Sequence, residues 1–209
     1  MLDKKQQTIE IALSSIIIIS IYVATQILSD IGSLKIAYIA NFSIDAGTFI
    51  YPITFTLRDM IHKKLGKKVA QITVITCAGI NLVMALYFAF VASLPSDPTW
   101  QLQEAYSSIL GPVWRIVVAS IVAEVVSELL DTEIYHLFVT KITTKYEWAR
   151  VLVSNAVSVP IDSAIFAFIA FYGNLPLSSI ISIIFANMII KFLVTLISVP
   201  AIYLVKEKK

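Results

Sequence analysis

The feature that most constrains this chain is a series of long, nearly uncharged apolar runs separated by short polar segments. A helix needs about 20 mostly apolar residues to cross the roughly 30 Å hydrocarbon core of a bilayer. A segment in lipid must also satisfy its own backbone hydrogen bonds. Such runs cover about 8–29, 47–61, 69–93, 113–138, 150–172 and 177–205, so the sequence predicts an all-α membrane protein, one domain over 1–209 with six transmembrane helices. The second run is the weakest, being interrupted by Pro52, Arg58 and Asp59. Stretches such as IVVASIVAEVV do not alternate, which excludes a barrel of about ten-residue strands. Hydrophobic residues make 58% of the chain and charged ones 14%, against about 45–50% and 25% in soluble domains.

Orientation follows from the cations, because cytoplasmic loops are rich in Lys and Arg. With six alternating spans, twelve of the sixteen cations fall on one side: Lys4, Lys5, Lys63, Lys64, Lys67, Lys68, Lys141, Lys145, Arg150, Lys206, Lys208 and Lys209. The opposite loops hold Lys35, while Arg58, Arg115 and Lys191 fall within spans. Both termini are therefore expected in the cytoplasm. Removing the second span would put its lysine-rich loop on the side of Lys35, which supports that span. The first run is too long for the apolar region of about 7–15 residues in a signal peptide, and is expected to remain as a helix. The outer stretch from Leu94 to Pro112, with Trp100 and Tyr106, is expected to hold a short helix at the membrane interface.

Three spans on each side of the middle give halves of opposite topology, an expected 3+3 inverted repeat. Pro52-Ile53-Thr54 is echoed by Pro160-Ile161-Asp162, and Asn81 by Asn187, with Pro-to-Asn separations of 29 and 27 residues. Matching interruptions in the two halves point to a transporter's substrate site. The fourth span carries Glu124, Glu128 and Asp131. At about 100° per residue Glu128 and Asp131 lie roughly 40° and 20° off Glu124, so all three share one face. A charge at the bilayer centre costs at least about 2.5–3.5 kcal/mol and normally faces a cavity or a partner. The buried set comprises three cations (Arg58, Arg115, Lys191) and five carboxylates (Asp59, Glu124, Glu128, Asp131, Asp162). That excess suits a cation or a ligand rich in hydrogen-bond donors, and opposes an anion. Structural readings stand beside this one: Arg115 snorkelling to the outer interface, Arg58, Asp59 and Lys191 forming interhelical ion pairs, and Asn81 and Asn187 joining helices.

The formal charge of +2 gives no footprint for nucleic acid, and the single Cys77 excludes a multi-cysteine metal site. Nucleophile elbows, His-Glu-x-x-His and phosphate loops are missing from the sequence. Neither an enzyme nor a cofactor is expected.

The segment Asn41 to Leu65 (NFSIDAGTFIYPITFTLRDMIHKKL) resembles the signature of the queuosine precursor transporter family, once described as vitamin uptake transporters. The matching residues are Gly47, Tyr51, Pro52, Thr54, Phe55 and Asp59. RIVVASIVAEVVSELLDTEIYH resembles the family's fourth-helix pattern, and Arg150, Ser154, Asn155, Asp162, Ser163 and Gly173 match its fifth. The basic HKKLGKK after Asp59 departs from the pattern, in a loop expected in the cytoplasm. The resemblance implies a multi-pass protein of the plasma (inner) membrane that takes up 7-deazaguanine bases, queuine or its cyano and aminomethyl precursors. A carboxylate accepts the N1–H and 2-amino donors of a guanine-like edge as a bidentate pair. Glu124, Glu128 and Asp162 are the expected carboxylates. Tyr51, Phe55 or Phe166 is expected to stack on the base, and Asn81 or Asn155 to read its acceptors. Arg58, Asp59, Asp131 and Lys191 rank next as gate or charge-balancing residues. Proton coupling, facilitated diffusion and a homodimer stay open. An ATP-driven importer's binding subunit is the rival, but its usual Ala-x-x-x-Ala face is missing from SIIIISIYVATQ.

Overall fold

A computed structural model describes residues 4–141 and 147–198; Lys145, Lys206, Lys208, Lys209 and the end of the sixth expected span lie outside the described residues. So do the side chains of Lys4, Lys5, Asp59, Lys63, Lys67, Glu128, Asp131, Arg150 and Ser154. The elements run α1 (Lys4–Gly32), β1 (Ile36–Ile39), β2 (Phe42–Asp45), a 3₁₀ turn (Ala46–Phe49), α2 (Ile53–Leu65), α3 (Lys67–Ser93), α4 (Gln103–Leu110), α5 (Val113–Lys141), α6 (Glu147–Phe171) and α7 (Leu177–Ser198). Each of the six expected spans contains one long or medium helix, and α4 is the short helix expected between the third and fourth. Trp100 and Tyr106 pack edge to face there, 5.9 Å apart.

Four helical stretches among the described residues are long and apolar enough to cross a membrane: Ala12–Gly32, Lys68–Ser93, Gln103–Ser127 and Leu177–Val194. Asn155–Phe171 is a shorter apolar helix. Large apolar side chains point outward along these helices, Ile75 at 71% exposed and Ile197 at 78% among them. The buried set, by contrast, includes Asp30, Asp45, Asn81, Asp162, Asn187 and Lys191. Apolar outside and polar inside inverts the order of a water-soluble core and suits a lipid surround.

Two departures from the sequence reading occur together. The segment after α1 is a β-hairpin, not irregular loop, with β1 and β2 antiparallel and Ile36 opposite Asp45. Ala40 and Asn41 both have positive φ (49° and 66°), the backbone of a two-residue turn matched to strand twist. The second run is also not one helix over 47–61. Its α-helix begins at Ile53, after Pro52, and its 13 residues rise about 20 Å at about 1.5 Å each, short of a full crossing. Before it, the 3₁₀ turn is started by Asp45, whose side chain accepts from the Thr48 N–H.

Packing forms an α1–α2–α3 cluster around Tyr22, Leu57, Ile61 and Cys77, an α5–α6–α7 cluster around Ile116, Phe166, Phe171 and Ile183, and a third of Ala85, Val113 and Val117 that joins α3 to α5. Small residues let α5 and α6 approach closely: Ala119, Ala123, Ala167 and Ala170 are all buried. Arg115 of α5 does more than reach the interface. Its Nε donates to the Ile169 carbonyl at 2.7 Å, and its guanidinium also donates to the Tyr172 carbonyl, at the C-terminal end of α6. Those carbonyls have no helical partner, and a cation there also meets the negative end of the helix dipole.

The turn at Ala46–Phe49 lies backbone-on-backbone against the end of α1. A Cβ at Gly47 would stand 2.1 Å from Ser33 Oγ and 2.3 Å from the Ser29 carbonyl oxygen. The hydroxyl can rotate; the helical carbonyl cannot. Gly47→Ala is therefore expected to lower the melting temperature of the purified protein, at a cost of about 1–3 kcal/mol typical of overpacking, and an unchanged melting curve would contradict the contact. Arg115→Leu should destabilise by roughly 1.5–3 kcal/mol, the range for charged hydrogen bonds, with Arg115→Lys restoring only part because it lacks the fork. Equal stability of the Leu and Lys variants would refute the carbonyl clasp.

Candidate functional site

The hairpin and turn carry polar backbone and side chains into the space between α1, α5, α6 and α7. A cavity of about 290 Å³ lies there, with Ser29 and Ser33 from α1, Asp45, Thr48 and Tyr51 from the hairpin–turn segment, Ser120 from α5, Asp162 and Phe166 from α6, and Asn187 and Lys191 from α7 on its walls. A second cavity, also about 290 Å³, is lined by Phe55 and Arg58 of α2, Ser127 of α5, and Asn155, Ser158, Val159 and Asp162 of α6. Asp162 borders both. Between the side chains each leaves free room for only about one water molecule, so a bound heterocycle requires the surrounding helices to move apart.

Between the cavities stands an ion pair. Lys191 donates to Asp162 Oδ2, and the two side chains are 3% and 2% exposed. Ser127 donates to the other carboxylate oxygen at 3.3 Å. The Lys191 ammonium also sits 5.0 Å from the Tyr51 ring centre. Tyr51 packs edge to face on Phe55 at 5.3 Å, and the Arg58 guanidinium lies 5.6 Å from the Phe55 ring. The spacing Tyr51, Phe55, Arg58 places these three on one face of the α2 start. Cation, ring, ring and cation thus form a ladder from one cavity to the other.

Asp45 forms the opposite wall. Its Oδ1 accepts from Ser33 Oγ at 2.8 Å and from the Thr48 N–H at 3.1 Å. Its Oδ2 has no hydrogen-bond partner, and neither has Asn187 Oδ1. An unpaired buried acceptor costs about 1–3 kcal/mol, more when charged. The first cavity holds two carboxylates, Asp45 and Asp162, against one cation, Lys191. It is thus built for donors, not for an anion.

The remaining expected residues are placed to one side. Asn81 donates to Asp30 Oδ2 at 2.7 Å, and Ser120 donates to Asp30 Oδ1 at 2.8 Å. Glu124 accepts from the Tyr22 hydroxyl at 3.3 Å, which in turn accepts from Gln26 at 3.2 Å. Neither Asn81 nor Glu124 lines the two cavities. Tyr51, Asp162 and Lys191 come together at the first, and Phe55, Asn155, Arg58 and Asp162 at the second. The Glu128, Asp131 and Asp59 side chains lie outside the described residues.

Asp30 and Asp45 are buried acids that the sequence reading left in a loop. The first apolar run ends at Ser29, yet the helix continues to Gly32. The available signal was the Ser-Asp and Ile-Asp pairs flanking the Gly32 and Gly47 contact, legible only once the hairpin is known.

The chain matches the family model described as "Putative vitamin uptake transporter" over residues 45–205. It is 30% identical over 165 residues to a "Probable queuosine precursor transporter" of Bacillus subtilis (strain 168), an alignment covering 77% of this chain and 71% of that relative. No solved structure matches it. The match begins at Asp45 and takes in the broken second span, the ion pair and every helix from α2 to α7. The chain belongs to the queuosine precursor transporter family, described also as vitamin uptake transporters, and is a membrane transporter rather than an enzyme.

Proposed function

We propose that this protein imports 7-deazaguanine bases, queuine or its cyano and aminomethyl precursors, across the bacterial plasma membrane. The named relative supports the substrate class. The excess of cations on one side and the presence of a helix in each of six apolar runs support six membrane segments with cytoplasmic termini, the second completed by the hairpin and turn before α2. The two larger packing clusters, one in each set of three helices, support a 3+3 inverted repeat whose halves rock against each other.

The observation that carries this reading is the pair of cavities sharing Asp162. In that orientation their linings are ordered alike on every shared element. Thr48 and Tyr51 lie outward of Phe55 and Arg58, Ser120 outward of Ser127, and Phe166 outward of Asn155. From Asn155 to Phe166 is roughly 16 Å along the helix at about 1.5 Å per residue, about half the bilayer core. The two cavities are successive compartments of one path, and the Lys191–Asp162 pair is the door between them. A base waits in the outer compartment, stacked on Tyr51 or Phe166. Movement inward separates Lys191 from Asp162, while the Tyr51 face keeps the ammonium partnered.

Cells unable to make or take up deazaguanines, and expressing this chain, should accumulate labelled queuine with saturation. Excess aminomethyl deazaguanine should block that uptake, and adenine should not; block by adenine alone would reject the substrate class. Lys191→Met and Asp162→Asn should each lower uptake at least about tenfold, equivalent to about 1.4 kcal/mol. Each single change also breaks a buried pair, at about 3–5 kcal/mol of stability. The double variant should recover much of the melting temperature without recovering uptake. Full uptake by the double variant would eliminate the door.

A further inference from the structure

We infer that Asp45, with Asn187 beside it, is the group that reads the hydrogen-bond donor edge of the cargo, and that it selects guanine-type bases over adenine-type ones. This rests on the deazaguanine reading above and assigns its recognition atoms. Three acids at or near the outer compartment already have direct partners: Asp162 has Lys191 and Ser127, Asp30 has Asn81 and Ser120, and Glu124 has Tyr22. Asp45 differs in offering one occupied and one unoccupied oxygen. Oδ1 is fixed by Ser33 and the Thr48 N–H, which orients the carboxylate. Both residues line the compartment, and Asp45 Oδ2 and Asn187 Oδ1 make no hydrogen bond there, although the Asn187 side chain lies near enough to act on the Asp45 carboxylate. Both residues are 1% exposed, so bulk water does not satisfy them.

Two buried acceptors on one cavity wall ask for adjacent donors on the ligand. Lys191, which acts electrostatically on Asp45 from α7, supplies the complementary donor for an acceptor next to them. Donor, donor, acceptor is the order of the 2-amino group, N1–H and O6 along a guanine edge. An adenine edge presents an unprotonated ring nitrogen where the second donor is needed, and sets its lone pair against the carboxylate. A site built around hydrogen bonds rejects a ligand that lacks them far more strongly than an apolar pocket rejects a misfit. The 7-substituent lies on the opposite side of the base, so this edge is common to queuine and its precursors.

The test uses the full chain in lipid nanodiscs and measures the affinity of 7-aminomethyl-7-deazaguanine, the same base without its 2-amino group, and the matching 7-deazaadenine. The intact protein should bind the first at least about tenfold more tightly than the second and show no measurable binding of the third. Asp45→Asn keeps a side-chain oxygen for the Thr48 N–H, and Asn caps a turn as well as Asp does, so it retains the fold. It should weaken the first ligand at least about tenfold and the second by less than about threefold. A merely structural role would weaken both equally. Equal loss for both ligands, or no loss for either, overturns the assignment. Asn187→Ser provides an independent variant and should likewise narrow the gap between the first two ligands; an unchanged gap counts against Asn187. Failure of the intact protein to bind any deazaguanine overturns the functional reading and this assignment together, whereas tight binding with no preference for the 2-amino group overturns this assignment alone.

Discussion

A lysine in the middle of an apolar helix has to stay partnered, and the organisation of this interior depends on how Lys191 does so. Its ammonium is 3% exposed and is held by Asp162. Removing such a pair from water costs several kcal/mol per ion, a cost offset only by good geometry and additional hydrogen bonds. Both conditions hold: Ser127 adds a hydrogen bond to the carboxylate, and the Tyr51 ring lies against the cation. The pair therefore ties α6 and α7 to α5 and to the turn before α2. It is a poor source of net stability and a good determinant of which arrangement the helices adopt.

The second structural condition is the break in the second span. Irregular backbone at membrane depth is tolerated where it lines a cavity or is buried in protein. Here the hairpin and 3₁₀ turn replace what would have been the first turns of a full-length α2. The replacement puts Asp45, Thr48 and Tyr51 on a cavity wall. The extended backbone at Asp45, just before the turn, lets its carboxylate accept from the Thr48 N–H. The bare Cα of Gly47 then permits the approach to Ser29 and Ser33 that fixes the Asp45 carboxylate. Helix interruption, close glycine contact and oriented acid form one device.

Much of this was legible in the sequence, for physical reasons that also explain what was not. Lipid imposes length and hydropathy on its spans, so the helices could be found by counting. Charge inside a span is costly, so Asp162, Arg58 and Lys191 stood out as functional or paired residues, and Pro52 marked the end of regular helix. The hairpin was hidden because its turn is Ala40-Asn41, not an Asn-Gly type signal, and because its ten residues lie between two stronger apolar runs. Losing the hairpin meant losing Asp30 and Asp45. Acids at the edge of an apolar run look solvated, and burial that arises from tertiary folding leaves no trace in local hydropathy. The Glu124 face illustrates the converse. Helical periodicity aligned the acids of α5, but it did not say which neighbour that face would meet, and at Glu124 it meets the Tyr22 hydroxyl.

The first three long helices and the last three differ in chemistry. Pro52 and Pro160 occupy corresponding positions, yet Pro52 precedes a short helix while α6 continues through Pro160. The first half therefore contributes unwound backbone and a fixed acid, and the second contributes continuous helices bearing the ion pair. An occupant that satisfies Asp45 changes the field felt by Lys191, since that ammonium acts on both carboxylates. On the proposed path, filling the first cavity and loosening the pair beside it would be linked through a single lysine.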